Sequence, residues 1–338
     1  MRIATLVFSL VIAFSPVALA QTPTGVIFDT DMGNDVDDAL ALAMLHAFQS
    51  RHEVTLVAVT ISKDNKWAAP YVDLVNTFYG HAEIPIGTVQ NGKTPESNPM
   101  IEIPSERRRP DGNFVYPHRI LDSARAPEAV SLLRQTLAKQ KDGSVVMVQV
   151  GFSTNLARLL ETKADGASPD DGATLVRKKV RLLSVMAGNF ADGKPEFNLE
   201  KDVPSAVKLF HDWPTSIVVS GFEIGAALVF PATRIEQDFA YVKDHPVAEA
   251  YRSYMKMPYD RPTWDLTAVL YAVRPEEKYF SLSPPGTITV LPEGSSRFEP
   301  SPGGNHRYLI LTDEQRARTL EAMILLAGQP PAACVVRP

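Results

Sequence analysis

The sequence predicts an α/β fold: a mainly parallel, Rossmann-like central sheet with helices on both faces and a small late antiparallel strand pair. Three observations predict it. Short β-branched apolar runs alternate along the chain with stretches whose apolar residues recur at helical spacing, the order expected of strand–helix–strand units. The apolar runs are nearly continuous, as strands covered on both faces should be. The 338 residues, 45% hydrophobic and 22% charged, bury a large core without disulfide support.

The first twenty residues stand apart from the fold. Met1-Arg2 is a short positive start, Ile3 to Phe14 is almost all apolar, and Ala18-Leu19-Ala20 is a small-residue cleavage pattern before Gln21. Residues 1–20 therefore read as a signal peptide, too short to span a bilayer comfortably, and the protein is expected to be exported to the periplasm or beyond. Residues 21–330 are read as one domain and 331–338 as a C-terminal tail. No later stretch is long and apolar enough for a membrane helix. The formal charge of -5 speaks against a nucleic-acid surface. The single cysteine, Cys334, excludes an intrachain disulfide and lies in a Pro-rich tail that offers no catalytic setting.

Val26-Ile27-Phe28 is strand-like, and 37–48 a helix with Leu40, Met44 and Phe48 four apart. A strand follows over 54–61, a helix over 66–79 and a short strand over 84–87. Residues 91–118, rich in Pro, Ser, Glu and Arg, break the rhythm as a long loop or lid. Helices are expected at 129–139, 155–161, 205–210, 266–273 and 314–326, and strands at 144–150, 180–186 and 216–220. A polar turn region separates 163 from 174. The strands at 287–291 and 308–311 form the predicted late pair.

The densest chemistry lies between the first strand and the first helix: Asp29-Thr-Asp31-Met-Gly33-Asn-Asp35-Val-Asp37-Asp38. Five carboxylates within ten residues repel one another unless a cation compensates them, and carboxylate oxygens suit Ca²⁺ or Mg²⁺. The carboxyl end of a strand is where open α/β sheets bind ligands. Helix capping by Asp37 and dipole pairing by Asp38 explain only two of the five. An EF-hand fits poorly, because the twelfth position counted from Asp29 is Leu40. A haloacid-dehalogenase-like phosphatase also opens on Asp-x-Asp, but Met32-Gly33 suits it poorly.

The segment resembles the opening Asp-x-Asp-Pro-Gly-x-Asp-Asp signature of the inosine–uridine-preferring nucleoside hydrolases, with Met32 for Pro and two additional residues before the final pair. The resemblance continues in order through Thr60–Asn65, Val150-Gly-Phe-Ser-Thr-Asn155, Met186-Ala-Gly-Asn189, Glu196-Phe-Asn198…Asp202 and Trp264-Asp265. It implies the nucleoside hydrolase-like form of the fold and hydrolysis of a ribonucleoside to free base and ribose. It implies Ca²⁺ as cofactor, held by Asp31, Asp38, the Val150 backbone carbonyl and Asp265. Asp31 would be the general base. Asp37, Asn65, Asn189, Glu196 and Asn198 would bind the ribose, with Asp35 a competitor for the acidic role. The family's frequent dimers and tetramers make a homo-oligomer one expectation.

One departure matters chemically. Where many relatives carry a His beside the base, this chain has Trp264, and an indole cannot donate a proton at neutral pH, although it can stack. Beside Trp264, His118 and Tyr254 are the candidates for the leaving-group pocket, with Tyr251 and Tyr259 as further alternative donors. The same departure motivates an alternative, a calcium-dependent periplasmic receptor that binds ribosides without cleaving them.

Overall fold

β1 (Thr24–Thr30) delivers the chain to the acidic segment, and α1 (Asp37–Ser50) carries it away. The structure is a computed structural model and describes residues 23–332. The signal-peptide segment, Cys334 and most of the expected tail lie outside the described residues. β2 (Val54–Lys63), α2 (Ala68–Phe78) and β3 (Ile86–Lys93) follow, then α3 (Pro99–Glu106) and α4 (Ala129–Ala138). The middle of the chain runs β4 (Val145–Gln149), α5 (Thr154–Glu161), α6 (Gly172–Lys179), β5 (Val180–Met186), α7 (Phe197–Lys201), α8 (Val203–Asp212) and β6 (Ser216–Ser220). A largely helical stretch comes next: α9 (Phe222–Ala227), β7 (Val229–Phe230), α10 (Ala232–Asp238), α11 (Pro246–Tyr254), β8 (Arg261–Pro262) and α12 (Trp264–Val273). β9 (Ser281–Leu282), β10 (Gly286–Val290), β11 (Ser296–Pro300), β12 (His306–Ile310) and α13 (Asp313–Ala327) close it.

The main sheet has the order β11-β10-β12-β6-β5-β4-β1-β2-β3, with β9 on β12. From β3 through β12 every neighbouring pair along that order is parallel. β1 pairs with β2 on one side and β4 on the other, so the strand order reverses there. That reversal is the switch point at which doubly wound sheets open a crevice.

Strand alternation sorts side chains to two cores. Val26 and Phe28 of β1 join Val146 and Val148 of β4 on the face covered by α1, α2, α11, α12 and α13. Ile27 joins Val145 and Met147 on the opposite face, under α4, α5, α6 and α8. Both faces are covered, as the apolar strands require.

The late antiparallel pair is present, with different partners from those expected. β10 pairs chiefly with β11, while β12 runs parallel to β6 and meets β10 at the Gly286–His306 rung. The stretch 91–118 contains α3, which Pro104 inside it concealed from the sequence reading. Asn98 caps it by accepting from the Met100 N–H at 3.1 Å, and Met100 and Ile101 are buried. Arg107 then bridges to Glu249 at 2.6 Å and Asp244 at 3.1 Å, and Tyr116 donates to Glu249, fastening the stretch near α11. The polar region 163–174 is organised around buried Arg134, which donates to both Asp165 oxygens. Among the described residues no helix is long and apolar enough to cross a membrane.

Candidate active site

The carboxyl ends of β1, β4 and β5 open onto a cleft of about 320 Å³, closed on its far side by the starts of α9 and α12. Asp31 follows β1 directly, Val150 follows β4 and Met186 ends β5, so three adjacent strands each deliver a lining residue. Asp37 and Asp38 stand in the first turn of α1 and Asp265 in that of α12, where the positive ends of the helix dipoles favour carboxylates. The Asp265 backbone N–H donates to Asp37 Oδ2 at 3.1 Å, tying the two helix starts together. α12 is pinned in turn by Ser184, whose hydroxyl donates to the Ala268 carbonyl at 2.8 Å.

Asp37, Asp38 and Asp265 can bring carboxylate oxygens within 4.8 Å of one another, and all three are buried. Burial, and then repulsion from neighbouring aspartates (Asp35 on Asp37, Asp31 on Asp38, Asp37 on Asp265), holds the three carboxyls well above the ordinary range. Asp31 lines the same cleft and is pushed up to about 6, chiefly by burial, against the pull of Asn34 and Lys63. Buried carboxylates from two distant segments, all oxygen donors and short of compensating charge, fit a hard metal ion and little else. Sequence separation makes the point sharper, since Asp265 is brought from a late helix onto the N-terminal motif.

Beneath the cleft, Asp29 accepts from Thr60 Oγ1 at 2.5 Å and Asn155 Nδ2 at 2.8 Å. These contacts explain three motif residues as internal support for the strand ends. Thr30 donates to Asp38, so the loop hydroxyl orients a site carboxylate. Asn34 donates to Asp31 Oδ2 at 2.7 Å and accepts from Lys63 Nζ at 2.7 Å, giving a Lys–Asn–Asp relay. Gly151 permits all this: a Cβ there would lie 2.4 Å from the Asp31 nitrogen and 2.5 Å from Ser62 Oγ. Gly33 turns the loop with a φ of 108°, and Ile101 packs over it.

The other expected site residues divide. Asn198 lines the cleft and donates to the Val150 carbonyl at 2.8 Å and to that of Met186 at 3.2 Å. Glu196 lines it too, capping α7 by accepting from the Asn198 and Leu199 backbone N–H groups, and accepts a third bond from the Gly188 N–H after β5. Burial pushes Glu196 up to about 7 against those three bonds. Asn65 and Asn189 are not among the lining residues. The Asn65 amide donates to the Pro95 and Glu96 carbonyls, and Asn189 Oδ1 accepts from the Ala191 and Asp192 N–H groups. Trp264 and Tyr254 line the cleft. His118 lies instead by a separate cavity with Trp67, Arg108 and Phe114.

Residues the sequence reading missed are Asn34, Phe197, Phe222 and Arg261, all in the lining. Asn34 lay inside the acidic motif and Arg261 three positions before Trp264, so proximity to a motif was the available signal. Asp35 pairs with Arg261, Nε to Oδ1 at 2.9 Å with a second bond from Nη2. Phe222 stacks on Trp264 with ring centroids 5.4 Å apart, and the indole N–H donates to the Phe222 carbonyl at 3.0 Å.

Residues 26–325 match the family of inosine-uridine preferring nucleoside hydrolases. The chain belongs to that family. It is a hydrolase acting on N-glycosyl compounds, which sets aside the phosphatase. The solved structure of an inosine-uridine preferring nucleoside hydrolase from Bacillus anthracis superposes with a TM-score of 0.67 at 18% identity, covering 90% of this chain and 99% of that one. A plant nucleoside hydrolase gives 0.60 at 22% identity, over 91% and 100%. A purine-preferring ribonucleoside hydrolase from Gardnerella vaginalis gives 0.64 at 17%, over 90% and 98%. At these identities the likeness establishes a shared fold. No curated protein matches the chain.

Proposed function

We propose that this nucleoside hydrolase is an exported, Ca²⁺-dependent enzyme that cleaves ribonucleosides to free base and ribose. The observation that carries the reading is the convergence of Asp31, Asp37, Asp38 and Asp265 on one cleft whose opposite wall is aromatic. The residues fit the cation: Asp37, Asp38 and Asp265 bring hard oxygens within 4.8 Å of one another, Asp31, the expected ligand, lines the same cleft, and the Val150 carbonyl keeps a lone pair beside the one engaged by Asn198. A bound Ca²⁺ would supply positive charge for the carboxylates and Lewis acidity toward a sugar diol and a water.

The chain's own groups then divide the work. Asp31 accepts the proton of the attacking water, with Asn34 and Lys63 fixing its Oδ2 side. Asp37 commits Oδ2 to the Asp265 N–H, leaving Oδ1 for a ribose hydroxyl. Asn198 and Glu196 border the sugar's far side. As the C1′–N bond lengthens, positive charge builds on the ribose ring, and the buried carboxylates stabilise it. Trp264, backed by Phe222, offers a flat face for the base.

The test is to incubate the mature protein with a panel of purine and pyrimidine nucleosides and measure reducing sugar, with added Ca²⁺ and after chelation. Sugar release that chelation abolishes and Ca²⁺ restores supports the reading. Tight binding of ribosides with no sugar release under either condition would overturn it. Export is tested separately, by finding whether mature protein in the periplasm or medium begins at Gln21.

A further inference from the structure

The cleft is lined by carboxylates on the sugar side, and among its lining residues Arg261 alone carries a fixed positive charge. Its guanidinium is held in a fork: Nε donates to Asp35 Oδ1 at 2.9 Å, and Nη2 donates to Asp35 Oδ2 and, at 3.2 Å, to the Tyr254 hydroxyl. The guanidinium carbon lies 5.3 Å from the centroid of the Trp264 ring and 5.2 Å from that of Tyr254. Nη1 has no partner among the described residues. A cation is thus fixed over the Trp264 and Tyr254 rings, within the aromatic part of the cleft, with a free donor.

Breaking the C1′–N bond puts the bonding pair on the base. On the aromatic side of the cleft, where a base would lie, no residue suits protonation of it at neutral pH. The indole of Trp264 keeps its proton, and burial pushes Tyr254 up to about 12. Glu196 has both oxygens committed to backbone N–H groups.

We infer that Arg261, oriented by Asp35, stabilises the leaving base as an anion through hydrogen bonding, so that the glycosidic bond breaks without prior proton transfer to the base. The inference rests on the hydrolase reading above. The water oxygen bonds to C1′, the water proton passes to Asp31, and the C1′–N pair stays on the base nitrogen. The base takes its proton from solvent afterwards, and Arg261 keeps all of its own. Asp35, one of the two residues added to the family signature, is a positioning residue: it holds the fork and touches no reacting atom.

Leaving-group dependence tests this. Wild type, Arg261→Gln, Arg261→Lys and Asp35→Asn are assayed with Ca²⁺ on uridine and on p-nitrophenyl β-D-ribofuranoside, whose phenolate departs readily unaided. Loss of one charge-stabilising donor in a closed site lowers rates by about 10²–10³-fold, so Arg261→Gln should lower kcat/KM for uridine by about that factor. The same change should lower nitrophenyl riboside turnover by less than about fivefold, because little charge stabilisation is left to lose. Arg261→Lys should recover part of the uridine rate, and Asp35→Asn should fall between it and wild type. Equal losses on both substrates, or no loss on either, would overturn the inference, and melting curves check that the variants fold. If wild type releases nitrophenolate but Arg261→Gln shows no selective effect, the hydrolase reading stands and the role of Arg261 falls. If wild type cleaves neither these two substrates nor any nucleoside of the panel above, both fall; if it cleaves another nucleoside of that panel but not uridine, that nucleoside replaces uridine in the comparison.

Discussion

Burial lifts the Asp31 carboxyl, while Asn34 and Lys63 pull it back toward ionisation. Such a group is basic enough to take a proton and still ionised at neutral pH, the balance a general base needs. Asp31→Asn keeps the shape and the Asn34 contact but removes proton affinity. Base release should fall about 10²–10⁴-fold or more, with the melting temperature near wild type, as steady-state rates and thermal melts will check. Trp264 acts on binding instead. Base–aromatic stacking contributes about 1–3 kcal/mol, so Trp264→Ala should raise KM by about 10–100-fold, provided KM reflects binding. If KM held steady in that variant, the stacking role would be lost. Asn65 shows the opposite case, a residue whose motif position suggested ribose contact. Its amide is taken up by the 95–96 carbonyls, which only the tertiary path of that loop determines.

At the level of elements, the site depends on how closely two strand-end turns approach. Gly151 follows β4, and its missing side chain lets the Asp31 backbone pass. Gly151→Ala forces the turn apart, which should cost about 1–3 kcal/mol of stability and most of the activity. Urea unfolding and base-release rates measure the two effects, and a variant with wild-type values for both would contradict the packing argument. The strands at 180–186 and 216–220 were legible in the sequence to the residue, because a buried β-branched run signals itself locally. The acidic motif was legible for the same reason. α9, α10 and α11 went unread: at 6, 7 and 9 residues they are too short for a helical repeat to declare itself, and they depend on packing to form. Phe222 and Arg261 arrive through that stretch, so the aromatic and cationic wall of the cleft was the illegible part. β11 was hidden too, since Ser296–Pro300 lacks an apolar run and pairs only because β10 presents an edge.

For the whole molecule, the gathered carboxylates couple stability to pH and to metal. Burial raises Asp29 and Glu196 to about 7 and Asp31 to about 6, and holds Asp37, Asp38 and Asp265 well above their ordinary values. Unfolded, the same groups ionise near pH 4, roughly the value of free Asp and Glu side chains. The folded state thus binds more protons between about pH 4 and 7, and by linkage its stability is present below that window and lost as pH rises through it. Carboxylates whose partners hold them low, such as Asp165 beside Arg134, act below pH 4. The buried imidazoles of His46 and His245, held down to about 3, and of His306, held down to about 4, oppose the loss below the ordinary imidazole value of 6.5, but they are three against the six raised carboxylates, and above that value the carboxylates act alone. A divalent cation stabilises the ionised cluster and should remove that loss. With chelator, the melting temperature should therefore fall as pH rises from about 5 to 8, and with excess Ca²⁺ it should hold nearly level, so that the gap between the two curves widens with pH. A tenfold difference in proton affinity between the folded and unfolded chain corresponds to about 1.36 kcal/mol, enough to resolve by calorimetry. Parallel curves would mean that these carboxylates do not share one cation. Asp38→Asn should narrow the gap, by lowering repulsion in the chelated protein and weakening Ca²⁺ binding at once.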